Sequence, residues 1–167
     1  MTPAGLAELS DREVILALQE LTEDLMAGAA PDTTPLDQDE AALLLATLLR
    51  RHGEEVPATL VPGDAAGYSA ARRLLVTLAD EPAYADSVAA VLAEPPTDSR
   101  LSADMAVSGV VVLGAVIAWL QTKVEIRFKR AGGKTEFEFR VRKEAADGTT
   151  LRDLASVVSR MLGGPRP

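Results

Sequence analysis

The sequence of 167 residues contains no cysteine and a single histidine, His52. The first absence excludes disulfides, thiolate chemistry and cysteine-ligated zinc or iron–sulfur centres. The second leaves no histidine cluster to hold a metal. Aromatic residues are sparse, at 4% of the chain: one Trp, two Tyr and three Phe. A core must therefore be built from Leu, Val, Ala and Ile, with Trp119 and the three phenylalanines as its few large members. A secretory pattern is missing too. The N-terminal MTPAGLAELSDRE has neither a basic start nor an apolar h-region, so the expected setting is the cytoplasm, with membrane association as the alternative.

What is present is ample for a globular protein. Hydrophobic residues make up 47% of the chain and charged residues 25%. The net charge of −8 conceals an asymmetry: residues 1–100 carry 6 Lys/Arg against 18 Asp/Glu, and residues 101–167 carry 11 against 7. Such a contrast often follows a unit boundary. EPPTDSR, 94–100, is the natural divide, because paired prolines stop a helix and the polar residues after them suit a linker. The expected organisation is an acidic helical bundle over 1–94, a linker over 95–100, and an apolar helix, β-hairpin and C-terminal helix over 101–167.

Helical spacing dominates the first part. Ser10 and Glu13 form a capping box ahead of Val14, Ile15, Leu18, Leu21, Leu25 and Met26. A second helix starts near Asp37, carries Leu43, Leu44, Leu45, Leu48 and Leu49, and stops at Gly53. Two further helices are expected around 65–80 and 83–94. Beyond the linker, Ser102 opens a helix running to about Gln121. A last helix follows Thr150, which with Asp153 makes an N-cap, and carries Leu151, Leu154, Ala155, Val157, Val158, Met161 and Leu162.

KVEIRFKRAGGKTEFEFRVRK, 123–143, is the most regular stretch. Folded about Gly132-Gly133, it places Phe128 opposite Phe137, Ile126 opposite Phe139 and Val124 opposite Val141. The same register faces Lys129 with Glu136, Arg127 with Glu138 and Glu125 with Arg140. Apolar pairs occupy one face and opposite charges the other. A slip of one residue destroys both ladders, so the register is strongly specified. The expected core here is Trp119, Leu120, Val124, Ile126, Phe128, Phe137, Phe139 and Val141. The cross-strand charges are expected to pair. Candidate contacts for a partner are Arg127, Lys129, Arg130, Lys134, Arg140 and Arg142.

MAVSGVVVLGAVIAWL, 105–120, is apolar nearly all round but shorter than the ~20 residues of a typical span. Basic residues follow it, so the positive-inside tendency would push the acidic segment 1–100 across a membrane. A buried helix packed by Ser108, Gly109, Gly114, Ala115 and Ala118 is the better expectation, and membrane insertion through 105–120 is the alternative.

No reacting constellation emerges. His52, beside Arg50 and Arg51 at a helix end, suits the helix dipole better than general base chemistry. Asp37, Asp39 and Glu40 fit only the first positions of a calcium loop, and acids in a first helical turn need no metal to explain them. Ala131-Gly132-Gly133-Lys134 lacks the spacing and the helix of a phosphate loop. Three acids interrupt the basic face of the ribbon and its phenylalanines point the other way, so nucleic acid is an improbable partner. The expectation is a non-enzyme without cofactor or metal.

Residues 106–162 run in a recognisable order: a small-residue apolar helix ending in AWLQTK, strands VEIRFKR and TEFEFRVR about a glycine turn, then LRDLASVVSRML. This third of the chain resembles the effector-associated constant component family of actinobacterial conflict systems. Residues 1–94 depart from the family pattern, being helical where a strand and helix are expected. The resemblance implies a non-enzymatic adaptor or regulatory component acting through a protein partner or self-association. It carries over no catalytic residue. The expected fold is α+β, a helical bundle followed by a small α-β-β-α unit.

Overall fold

The computed structural model describes residue 3 and residues 5–27, 38–56, 64–95, 108–141 and 150–163. Residues 96–100 of the expected linker, the helix start at Ser102 and Arg142 lie outside the described residues. So does the side chain of Val141. Among those described, six α-helices and one antiparallel hairpin make an α+β fold: α1 (Asp11–Ala27), α2 (Gln38–Arg51), α3 (Asp64–Asp80), α4 (Ala85–Ala93), α5 (Ser108–Lys123), β1 (Val124–Ala131), β2 (Lys134–Val141) and α6 (Leu151–Gly163). A short 3-10 turn, Leu6–Glu8, precedes them and was not foreseeable from periodicity over so few residues.

The helix ends are set by local chemistry. Ser10 N–H donates to Glu13 Oε2 at 2.8 Å and Glu13 N–H donates to Ser10 Oγ at 3.2 Å, the reciprocal capping box. Thr150 and Asp153 repeat it before α6, at 3.1 and 3.2 Å. After α2, Gly53 adopts φ 73°, and Glu54 N–H reaches Leu49 O at 2.9 Å while Gly53 N–H reaches Arg50 O at 3.3 Å. That pair of bonds is a Schellman ending, and the left-handed residue it requires is cheapest as glycine.

α5 is the centre of the molecule. It lies chiefly against α1 and α3, with α2 also in contact. From Val111 to Gln121 every residue except Gly114 is buried. A helix apolar on all sides needs such surroundings. Inserting this helix into a lipid bilayer would require dismantling the core, and no helix among the described residues is long and apolar enough to cross a membrane. Gly114 departs from expectation. It is exposed, and a methyl group there would meet nothing within 4 Å, so it is not a close-packing position.

One continuous core joins Leu18, Leu45, Leu48 and Leu74 to Val116, Leu120, Phe137, Val158 and Met161. The acidic and basic halves of the chain share it. Two leucine-run expectations shift at the edges: Leu43 and Met26 are exposed, because 100° per residue carries them off the buried stripe. α4 packs on α1 and α3, and α6 packs on α2 and α3.

Long-range polar staples complete the body. Arg72 on α3 donates from Nη1 to Leu6 O (3.0 Å) and from Nη2 to Leu9 O (2.9 Å), and pairs with Asp11 at 3.2 Å. These bonds pin the start of the chain to α3 and satisfy carbonyls that would otherwise lose their partners. Arg73, its neighbour, donates from Nε and Nη2 to Met161 O (3.1 and 3.0 Å), meeting a carbonyl in the last turn of α6.

Candidate functional site

The hairpin follows α5 directly and leans on α2, α6 and the end of α5. Its register is the expected one, from Val124↔Val141 through Ile126↔Phe139 and Phe128↔Phe137 to Ala131↔Lys134. Gly132 (φ 57°) and Gly133 (φ 75°) are both left-handed, as a two-residue type I′ turn demands. Residues flanking such a turn form a hydrogen-bonded pair, and pairs then alternate along the ladder. Counting from Ala131↔Lys134, the apolar pairs fall at non-hydrogen-bonded positions. There the side chains stand closest, and the backbone N–H and C=O groups point outward from the ribbon.

The apolar face meets the helices. Val124, Phe137, Trp119 and Leu120 are buried, whereas Ile126, Phe128 and Phe139 are half-buried at the margin of the core. Phe137 contacts both other rings, with centroids 6.3 Å from Phe128 and 6.4 Å from Phe139. Two arginines close this margin. The Arg51 guanidinium lies 5.5 Å from the Phe139 ring centre, and Arg130 lies 4.8 Å from that of Phe128.

Arg130 also grips α2. Its Nε and Nη2 donate to Glu40 Oε2 and Oε1 at 2.7 and 2.6 Å, a bidentate pair. It therefore ties the distal hairpin to the body, although its side chain, a candidate partner contact, remains 55% exposed. The signal was legible: Arg130 shares the parity of Val124, Ile126 and Phe128, opposite Thr135, and so belongs to the helix-facing side. Nothing in the sequence pointed to Glu40 as its partner.

The outer face carries Arg127, Lys129, Lys134 and Arg140 with Glu125, Glu136 and Glu138. All are exposed except Glu125, which is half-buried. The expected cross-strand ion pairs do not close. Arg127 Nε instead contacts Glu125 Oε1 on its own strand at 3.1 Å, and the facing charges Lys129/Glu136, Arg127/Glu138 and Glu125/Arg140 make no ion contact among the described residues. In water such pairs gain little over hydration, so proximity in register does not compel contact.

A second polar cluster sits where α3 ends. Trp119 Nε1 donates to Glu81 Oε1 at 2.6 Å, Lys123 Nζ lies 2.9 Å from Glu81 Oε2, and Lys123 also lies 5.7 Å from the Tyr84 ring centre. Glu81 thereby gives the sole tryptophan the hydrogen-bond partner a buried indole N–H needs. Sequence reasoning missed it, since the partners are 38 and 42 positions apart. Among the described residues no group of three or more His, Asp or Glu stands together as a metal site. Comparison with family models, curated proteins and solved structures finds no match for this chain.

Proposed function

We propose that the chain is a non-catalytic protein-interaction module, an adaptor, whose recognition element is the outer edge of the β1–β2 hairpin. One observation carries this reading. The sheet has two strands among the described residues, and its distal part from Lys129 to Lys134 is exposed. Among the described residues each strand thus offers an edge of unmatched backbone groups, the arrangement that accepts an added strand from a partner. Mixed charges on the outer face favour a partner strand that alternates acid and base over a uniformly charged polymer. The resemblance of residues 106–162 extends the reading to a setting, a regulatory component of a bacterial conflict system.

The edge is testable without disturbing the ribbon. Thr135 is at a non-hydrogen-bonded position, so its N–H points outward, and Thr135→Pro removes that donor while sparing the internal ladder. Peptides selected on the full-length chain from a displayed library should bind the Thr135→Pro variant about ten-fold more weakly, the loss of roughly one backbone hydrogen bond plus a steric clash. Equal affinity for both proteins, with circular dichroism unchanged, would remove the hairpin edge as the recognition element. Second-order scattering growth with concentration would identify a second copy of the chain as the strand donor.

A further inference from the structure

Away from the hairpin, the 3-10 turn, α3 and α6 enclose a groove of about 740 Å³. That volume falls within the roughly 300–1,000 Å³ of sites that take small molecules. Its lining includes Leu6, Val76, Val157 and Met161, with Arg73 and Arg160 among them. The apolar side chains come from three separate elements, so the groove exists only in the folded protein.

Its charge is unbalanced in one direction. Glu81 also borders the groove, but Lys123 and Trp119 already answer it. Asp80 also lines the groove, but it is exposed and already has a partner of its own. Arg72 is engaged by two carbonyls and Asp11. Arg73 differs: it is half-buried, bonds only the Met161 carbonyl through Nε and Nη2, and has no carboxylate partner among the described residues. Its Nη1 group makes no bond among the described residues. Burial lowers its pKa from the ordinary arginine value, a sign of a charge held in poor solvent, although an arginine stays protonated. Arg160 lines the same groove and is exposed, likewise without an ion-pair partner among the described residues. A cation in apolar surroundings with free donors is stabilised by an anion that brings its own apolar body.

We propose that this groove binds a small amphipathic carboxylate, its apolar chain lying on Ala7, Val76 and Val157 above the buried Leu6 and Met161, and its carboxylate meeting the guanidinium groups of Arg73 and Arg160. Two guanidiniums suit a planar carboxylate better than a hydroxyl or an amine, because their paired N–H groups match its two oxygens. The molecule supplies its own reporter. Trp119 is the only tryptophan, and its hydrogen-bond partner Glu81 borders the groove.

The test is a titration of the full chain with decanoate below its micellar range, followed by calorimetry and by Trp119 emission. Decan-1-ol and decyltrimethylammonium serve as neutral and cationic counterparts. Decanoate should saturate one site and bind at least about ten-fold more tightly than either counterpart, the contribution of a single charge-assisted hydrogen bond. Arg160→Glu, an exposed change that leaves the fold intact, should weaken decanoate by about ten-fold or more, whereas Arg12→Glu on exposed α1 surface should not. Three results overturn the proposal: no saturable heat with decanoate, equal binding of decan-1-ol, or equal effects of the two arginine variants. A fourth, tighter binding of a short peptide ending in two leucines and a free carboxylate, would reassign the groove to protein C-termini.

Discussion

Phe137→Ala is the sharpest probe of how the hairpin is held. Phe137 is 4% exposed and belongs to the same core as the helices, while its neighbours Phe128 and Phe139 are half-buried. Truncating a buried phenylalanine costs about 3–5 kcal/mol through lost transfer energy and the cavity left behind. Here the ring also contacts two others, tilted by 51° against Phe128 and 24° against Phe139, and each such pair adds roughly 0.5–1.5 kcal/mol. The strand can relax somewhat toward α2, so a loss near 4 kcal/mol is the working figure, a large share of the roughly 5–15 kcal/mol that holds a typical domain. Urea unfolding followed by circular dichroism measures it. The midpoint should fall with the slope unchanged, because the unfolding unit is the whole core. Phe139→Ala, at a half-buried site, should cost about half as much. A loss below about 1 kcal/mol for Phe137→Ala would refute the reasoning, since it would mean that the hairpin does not share the helical core.

Gly114→Ala should stabilise the protein by roughly 0.5–1 kcal/mol, because the added methyl has open space and the helix loses a flexible residue; a fall in melting temperature would contradict the open environment. Ser10→Ala should cost about 1 kcal/mol by removing one arm of the α1 capping box, read as a lower urea midpoint. A double-mutant cycle on Glu40 and Arg130 should give a coupling of about 0.5–1 kcal/mol that shrinks in molar salt. The pair is close and bidentate, but Arg130 remains 55% exposed and solvent screens it. No coupling would show that the distal hairpin is not tied to α2.

Much of the architecture is legible in the sequence because it depends on neighbours a few positions apart. The two caps at Ser10 and Thr150 are written in four residues each. The hairpin register follows from alternation and a Gly-Gly turn, since any slip would turn the phenylalanines to water. The α5 segment reads as buried because it is apolar on every side. Reading went astray at margins, where Leu43 and Met26 extend a hydrophobic run past the buried stripe. On the outer face of the ribbon, facing charges do not touch, because register fixes which residues oppose but hydration competes with the ion contact. Arg130 is the instructive case: its parity placed it on the inner face, but only α2 supplied Glu40.

The sequence by itself determined the segments, their ends, and which face of the ribbon is greasy, because those outcomes rest on backbone geometry and on spacing along one element. Only the tertiary structure decided that α5 sits between α1 and α3, that Arg72 clasps the chain start, that Glu81 answers Trp119, and that three elements leave a groove beside Arg73. Each of these joins residues tens of positions apart. Their partners are chosen by how all the apolar faces fill space together, and no local pattern encodes that.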